Sequence, residues 1–250
     1  MKKDRCGEIG FNSNGTKMVI SKYNNAHDII VLFEDYNYKV KTNYKAFKKG
    51  KVKCVYDRTV FGVGYIGEGK YKTVNEQGNK TNAYCTWLNM LKRVYFSKMS
   101  KKTITYECCE VCKEWLCYNN FAEWYYDNEY KYDENKLELD KDILHKNNKK
   151  YCPKYCLLVP KKINMLFVKS KSSRGDTPIG VKKVGNKYSS RFKKNGKEVH
   201  IGAFKTKEEA FLAYKKEKEK WIKEVAEKNK ERIPEKVYFA MINYSYDIND

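Results

Sequence analysis

Ile179-Gly180-Val181-Lys182-Lys183-Val184, Lys187-Tyr188-Ser189-Ser190-Arg191-Phe192-Lys193-Lys194 and Lys197-Glu198-Val199-His200-Ile201-Gly202-Ala203-Phe204 are short runs separated by Gly185-Asn186 and Asn195-Gly196. Asn-Gly between alternating residues is a strong local signal for a β-hairpin, because both turn residues must adopt positive φ. Thr206 followed by Glu209 then has the spacing of a capping box, which starts a helix. Ala210, Ala213, Tyr214, Trp221 and Val225 give that helix an apolar stripe. The pattern predicts a three-stranded antiparallel sheet packed on a long helix.

Alternation sorts the faces of this sheet. Tyr188, Ser190 and Phe192, with Val199 and Ile201, turn toward the helix; Lys187, Ser189, Arg191 and Lys193, with Glu198 and His200, turn away. A basic sheet face left uncovered by its helix is suited to the major groove of DNA. The segment from Ile233-Pro234-Glu235 to Asp250 is expected to begin a short helix at Pro234 and to pack back on the long one.

The same residues resemble the APETALA2/ethylene-response-factor DNA-binding domain. The resemblance runs from Gly180-Val181 through Lys187-Tyr188, Ile201-Gly202, Phe204 and Thr206 to Glu208-Glu209-Ala210 and Ala213-Tyr214. It implies DNA contacts at Lys182, Lys187, Arg191, Lys193 and His200. Several family arginines are lysines here, and His200 stands where the family has a groove tryptophan. Lysine contacts phosphate but lacks the bidentate fork that reads guanine, so looser sequence specificity is expected.

Charge follows this division. The 250 residues hold 52 Lys+Arg against 31 Asp+Glu, a net charge of +21. The surplus is eleven over residues 1–100, two over 101–170 and eight over 171–250. Such a balance calls for a polyanion, with nucleic acid the default partner, and the sheet face makes double-stranded DNA the expected one. The aromatic content of 15%, with 22 tyrosines, argues against wholesale disorder. No run approaches the roughly 20 apolar residues of a membrane span. The N-terminal Met-Lys-Lys-Asp-Arg-Cys lacks the apolar core of a signal peptide, so a soluble cytoplasmic protein with no membrane partner is expected.

Residues 1–60 read as a small β-barrel or sheet. Lys17–Ser21, Asp28–Glu34 and Tyr38–Tyr44 are β-favouring runs between turn signals. The following Lys45–Lys53 interleaves basic and apolar groups, which makes Lys48, Lys49 and Lys51 candidate DNA contacts. The module is loosely similar to one that opens many phage proteins regarded as endonucleases. Residues 61–79, with Gly62, Gly64, Gly67 and Gly69, read as a glycine-rich linker. They lack the strand–turn–helix context of a phosphate-binding loop, so no nucleotide cofactor is expected.

Residues 80–172 form the third segment and 173–250 the last. Helices are expected over Asn82–Phe96 and Asn119–Asn128, with Phe121, Trp124 and Tyr125 as core. Leu137–Ile143 reads as a strand ending in carboxylates, and Lys161–Val168 as a helix carrying Asn164. This order resembles the HNH (His-Me finger, ββα-metal) nucleases. The resemblance implies a divalent ion, Mg²⁺ or Mn²⁺, on Asp140 and Asn164. Lys141 falls where that family has its general-base histidine. A lysine with an ordinary pKa near 10.4 stays protonated at pH 7, which leaves Asp142 and His145 as the other candidate bases.

Nine cysteines fit free thiols or a metal site in a reducing compartment better than a secreted disulfide scaffold. Cys109, Cys112, Cys152 and Cys156 flank the carboxylate strand, an arrangement similar to the structural zinc of some His-Me finger recombination nucleases. Burial of free thiols is the simpler alternative. The complete order, an α+β chain, resembles phage-encoded HNH-like endonucleases with an APETALA2-type domain acting in a bacterial host cell. Two functions are expected from it: metal-dependent nicking or cutting of duplex DNA, or DNA binding without chemistry. The second would suit a regulator or an anti-defence protein whose partner is a host or phage protein.

Overall fold

The computed structural model describes residues 4–96, 108–133, 136–169 and 175–250, and has an α+β architecture. The expected boundary at 172/173 lies outside the described residues. The chain divides into two compact units, one of residues 1–127 with 150–152, the other of residues 128–149 with 153–250. The segment 80–172 is therefore shared: its two aromatic helices belong to the first unit, and its carboxylate strand and the helix bearing Asn164 to the second.

In the first unit β1 (Ile9–Phe11), β2 (Lys17–Asn25), β3 (Asp28–Phe33) and β4 (Tyr38–Thr42) form an antiparallel meander in the order β1-β2-β3-β4. The outer strands β1 and β4 do not pair with each other, so this is an open sheet and not a barrel. Ile30, Leu32, Tyr38, Val40 and Thr42 are half-buried as alternation predicts. Ile29, Val31 and Phe33 point the other way, into a core with Met18, Ile20, Phe47 and Val52. Phe47 comes from α1 (Tyr44–Lys48), whose N-cap Asn43 accepts a 2.8 Å bond from the Ala46 N–H. Local capping turns the expected strand end into one helical turn.

The glycine-rich stretch is held rather than free. Tyr65 N–H donates to the Leu116 carbonyl, Gly67 N–H to Val55, and Asn119 N–H to Ile66. A β-carbon on Gly64 would sit 2.5 Å from Leu91, inside van der Waals contact. The glycines thus allow close packing where a linker was expected. Helix α2 (Asn82–Leu91) continues as a π turn through Phe96, and α3 spans Tyr118–Asn128. Trp87 donates 2.7 Å to the Trp115 carbonyl inside this aromatic core, with Phe121 and Tyr125 buried as expected.

In the second unit β5 (Leu137–Asp140) pairs antiparallel with β6 (Leu157–Pro160), and α4 (Lys161–Asn164) follows directly. Next, β7 (Val181–Val184), β8 (Lys187–Lys194) and β9 (Lys197–Phe204) form an antiparallel sheet with β8 central. Asn195 and Gly196 take φ of 52° and 79° at the hairpin. Helix α5 (Lys207–Asn229) starts with the expected reciprocal capping box at Thr206 and Glu209. It buries Ala210, Phe211, Tyr214, Trp221, Ile222 and Ala226, and also Lys218. Helix α6 (Glu235–Ile242) begins after Pro234, and the tail returns to α5, where Lys215 donates 2.8 Å to the Tyr246 carbonyl.

Candidate nucleic-acid interface

The register of the second-unit sheet fixes its faces. Ser189 lies opposite Lys182 on β7 and Ala203 on β9; Arg191 lies opposite His200, and Lys193 opposite Glu198. Paired residues share a face, so Lys182, Lys187, Arg191, Lys193 and His200 stand together. The other face carries Val181, Phe192 and Val199. Its Lys194 lies 4.3 Å from the Trp221 ring centre and pairs with Glu224 at 3.2 Å, both on α5. The helix therefore covers the apolar face and leaves the basic one open. Ile201, expected on the helix face, is the unpaired residue of a bulge between the Ser190–Gly202 and Arg191–His200 pairs.

Lys182, Lys187, Lys193 and His200 are exposed and have no ion-pair partner among the described residues. Arg191 is tied: its guanidinium donates to Glu198 at 2.8 Å. The buried Ser189 hydroxyl and Arg191 Nε have no hydrogen-bond partner among the described residues. In the first unit Lys48 pairs with Glu8 at 3.2 Å, whereas Lys49 and Lys51 are exposed without an ion pair among the described residues.

The carboxylate hairpin is arranged inward. Asp140 Oδ1 accepts the backbone N–H groups of Asp142 at 2.8 Å and Ile143 at 2.7 Å. Burial pushes this carboxyl above its ordinary pKa, with the two N–H bonds acting against the rise. The Asn164 amide donates 2.7 Å to Glu138, which alternation puts on the same face of β5 as Asp140. The sequence reading missed Glu138, although its position two residues before Asp140 was available as a signal.

Lys141 is only 8% exposed. Its ammonium donates 2.8 Å to both Asp142 oxygens and 2.6 Å to the Asn148 carbonyl. The pair occupies two of the groups considered as bases. His145 is exposed, with its ring edge-on to Tyr155 at 4.8 Å.

Asp140 Oδ2 and Asn164 Oδ1 accept no hydrogen bond among the described residues. With the Glu138 carboxylate they offer hard oxygen donors of the kind Mg²⁺ and Mn²⁺ prefer, so the residues fit such an ion. Among the described residues no group of three or more His, Cys, Asp or Glu is placed to hold a metal. Cys109, Cys112 and Cys152 are buried in the first unit and Cys156 in the second. Burial pushes the Cys112 thiol up to about 12.

Comparison with protein-family models, curated proteins and solved structures finds no match to this chain. No helix among the described residues is long and apolar enough to cross a membrane.

Proposed function

We propose that the protein binds double-stranded DNA through the outward face of β7, β8 and β9. The observation that carries this reading is the grouping of Lys182, Lys187, Arg191, Lys193 and His200 on the face opposite α5. The resemblance to APETALA2/ethylene-response-factor domains supports the same face. Lysines reach phosphates, and each phosphate neutralised releases counterions, so affinity should fall steeply with salt. Lys49 and Lys51, with Lys48, form a second candidate contact in the first unit. Binding without cutting fits a regulator or anti-defence protein, with a host or phage protein as a further partner.

The test is fluorescence anisotropy on a B-form duplex over a salt series. Lys182→Glu with Lys187→Glu should lower affinity on the order of 100-fold and flatten the salt slope by about 2. Unchanged affinity and slope would sink the proposal.

A second reading, HNH-like nicking, is favoured by the order β5, β6, α4 with Asp140 at a strand end and Asn164 in the helix. Asp140 and Asn164, with Glu138 beside them, would hold Mg²⁺ or Mn²⁺. When bound, such an ion supplies charge stabilisation to the leaving oxygen of a phosphodiester. The chain's own part is to orient Asp140 through two N–H bonds. Lys141 has its nitrogen engaged by the Asp142 carboxylate and the Asn148 carbonyl and is not free to act as a base, which ranks this reading second. Supercoiled plasmid nicked with Mg²⁺ or Mn²⁺, and left intact by Asp140→Ala, would establish cutting; intact plasmid with wild type would remove it. The thiols expected to hold structural zinc divide between the units, Cys109, Cys112 and Cys152 in the first and Cys156 in the second, and the metal content of the purified protein tests for the ion.

A further inference from the structure

Helix α5 buries a lysine within its apolar stripe. Lys218 is 7% exposed, and its ammonium has no hydrogen bond or ion pair among the described residues. It lies 5.8 Å from the centre of the Phe192 ring. Removing an ammonium from water without a counter-charge is costly, and burial pulls its pKa down to about 8. Packing alone does not account for it, since methionine would fill the same volume at less cost.

Lys218 lines a cavity of about 830 Å³, bounded by α5, the Asn195-Gly196 hairpin tip and the segment Pro160–Leu166. That volume lies within the range of small-ligand sites. Lys161, Lys162, Lys193 and Lys228 line it too, and no carboxylate does. None of these lysines has an ion-pair partner among the described residues. Ile163, Leu166, Trp221 and Val225 give the cavity an apolar wall, beside the polar Asn195 and Asn229. A ligand complementary to this lining combines negative charge with a flat or apolar body.

We propose that the cavity takes a nucleoside monophosphate unit, its phosphate on Lys218 and its neighbours and its base against the apolar wall. This rests on the DNA-binding reading in one respect: Lys193 belongs both to the outward sheet face and to the cavity. Lys193 thus gives a strand end on the sheet one contact in common with the cavity. A free mononucleotide has the same chemistry.

The experiment titrates the full chain by calorimetry with thymidine monophosphate and with thymidine. It also titrates duplexes whose single-nucleotide overhang ends in 5′-phosphate or 5′-hydroxyl, and a blunt duplex. The monophosphate should bind at least about tenfold tighter than thymidine, the size of one charged hydrogen bond. Lys218→Met should erase that difference, and Lys216→Met, on the exposed side of α5, should keep it. Preference for the 5′-phosphate overhang assigns the ligand to a strand end; monophosphate binding without it assigns a free nucleotide. Equal binding of thymidine and its monophosphate, or full binding by Lys218→Met, overturns the proposal. Blunt-duplex binding reports on the sheet alone, so its loss would end the DNA reading while the monophosphate titration still decides the cavity. Lys218→Met removes an unpaired buried charge, so its folding is not at risk.

Discussion

The outward sheet face and the carboxylate hairpin use the same residue for opposite purposes. On β7 and β8, Lys182, Lys187 and Lys193 are exposed and free of ion pairs among the described residues. On the hairpin, Lys141 is buried, bonded to Asp142 and to the Asn148 carbonyl. A hydrated, unopposed lysine is available to a polyanion. One already neutralised and desolvated is part of the architecture. The near-neutral charge of residues 101–170 thus includes charges that satisfy each other, and the surplus of residues 171–250 includes charges with no such partner.

The contrast breaks most completely if the sheet is separated from its helix. Gly180 has φ of +75°, and a β-carbon there would lie 1.9 Å from the Tyr214 ring. Gly180→Ala combines a disfavoured backbone with overpacking and should cost roughly 3–5 kcal/mol. Urea unfolding measures the loss, and DNA affinity should fall with it. A stable, fully binding variant would mean that the sheet–helix contact does not shape the basic face.

Gly180 also marks what was legible in advance. The C-terminal sheet and helix could be read closely because Asn-Gly turns, strict alternation and a capping box are local signals. The expected carboxylate strand, by contrast, runs to Ile143 but ends at Asp140, where the Asp140 side chain captures the backbone N–H groups of Asp142 and Ile143. Such capture competes with strand pairing and has no period to detect. The glycine-rich stretch reads as a linker because the partners of Gly64, Gly67 and Gly69, namely Leu91, Cys117 and Asn119, lie 27 to 50 residues away in sequence. Among site residues the basic face was visible from alternation. Lys218 was not, because a lysine on an apolar stripe ordinarily extends its charge to water.

Lys218 tests the middle ground, buried like Lys141 yet unpaired like Lys182. Burial lowers its pKa from an ordinary 10.5 to about 8, so between those values the unfolded chain binds more protons than the folded one. Wild-type stability should therefore rise as pH goes from 8 to 10.5. Lys218→Met should be more stable by about 1–3 kcal/mol at pH 7, and its advantage should shrink across that window. Thermal unfolding at pH 7 and pH 10 measures this, and a pH-independent difference would refute the desolvated charge.

A crossed pair of variants then compares the two regions directly. Asp142→Ala strips the counter-charge from buried Lys141 and should cost about 1–2 kcal/mol, discounted because Asp142 is itself partly exposed, with DNA affinity unchanged. Lys182→Ala should stay within about 0.5 kcal/mol of wild-type stability and weaken DNA binding several-fold. If the two effects change places, the division between structural and available lysines is wrong.

The smallest effect is expected at the place where the sheet face behaves like the hairpin. Arg191 is held by Glu198 at 2.8 Å, so the one arginine on the face begins as a neutralised pair. Both groups are partly exposed, so losing the pair should cost at most about 0.5–1 kcal/mol of stability. Glu198→Ala removes a negative charge from a surface meant for phosphates and frees a guanidinium that makes bidentate contacts better than any lysine beside it. Affinity for duplex DNA should rise about threefold to tenfold, with a salt slope steeper by about 1. If affinity falls instead, Glu198 is positioning Arg191 for its contact. The face would then depend on an internal pair, as the hairpin does, and the two regions would differ less than their exposure implies.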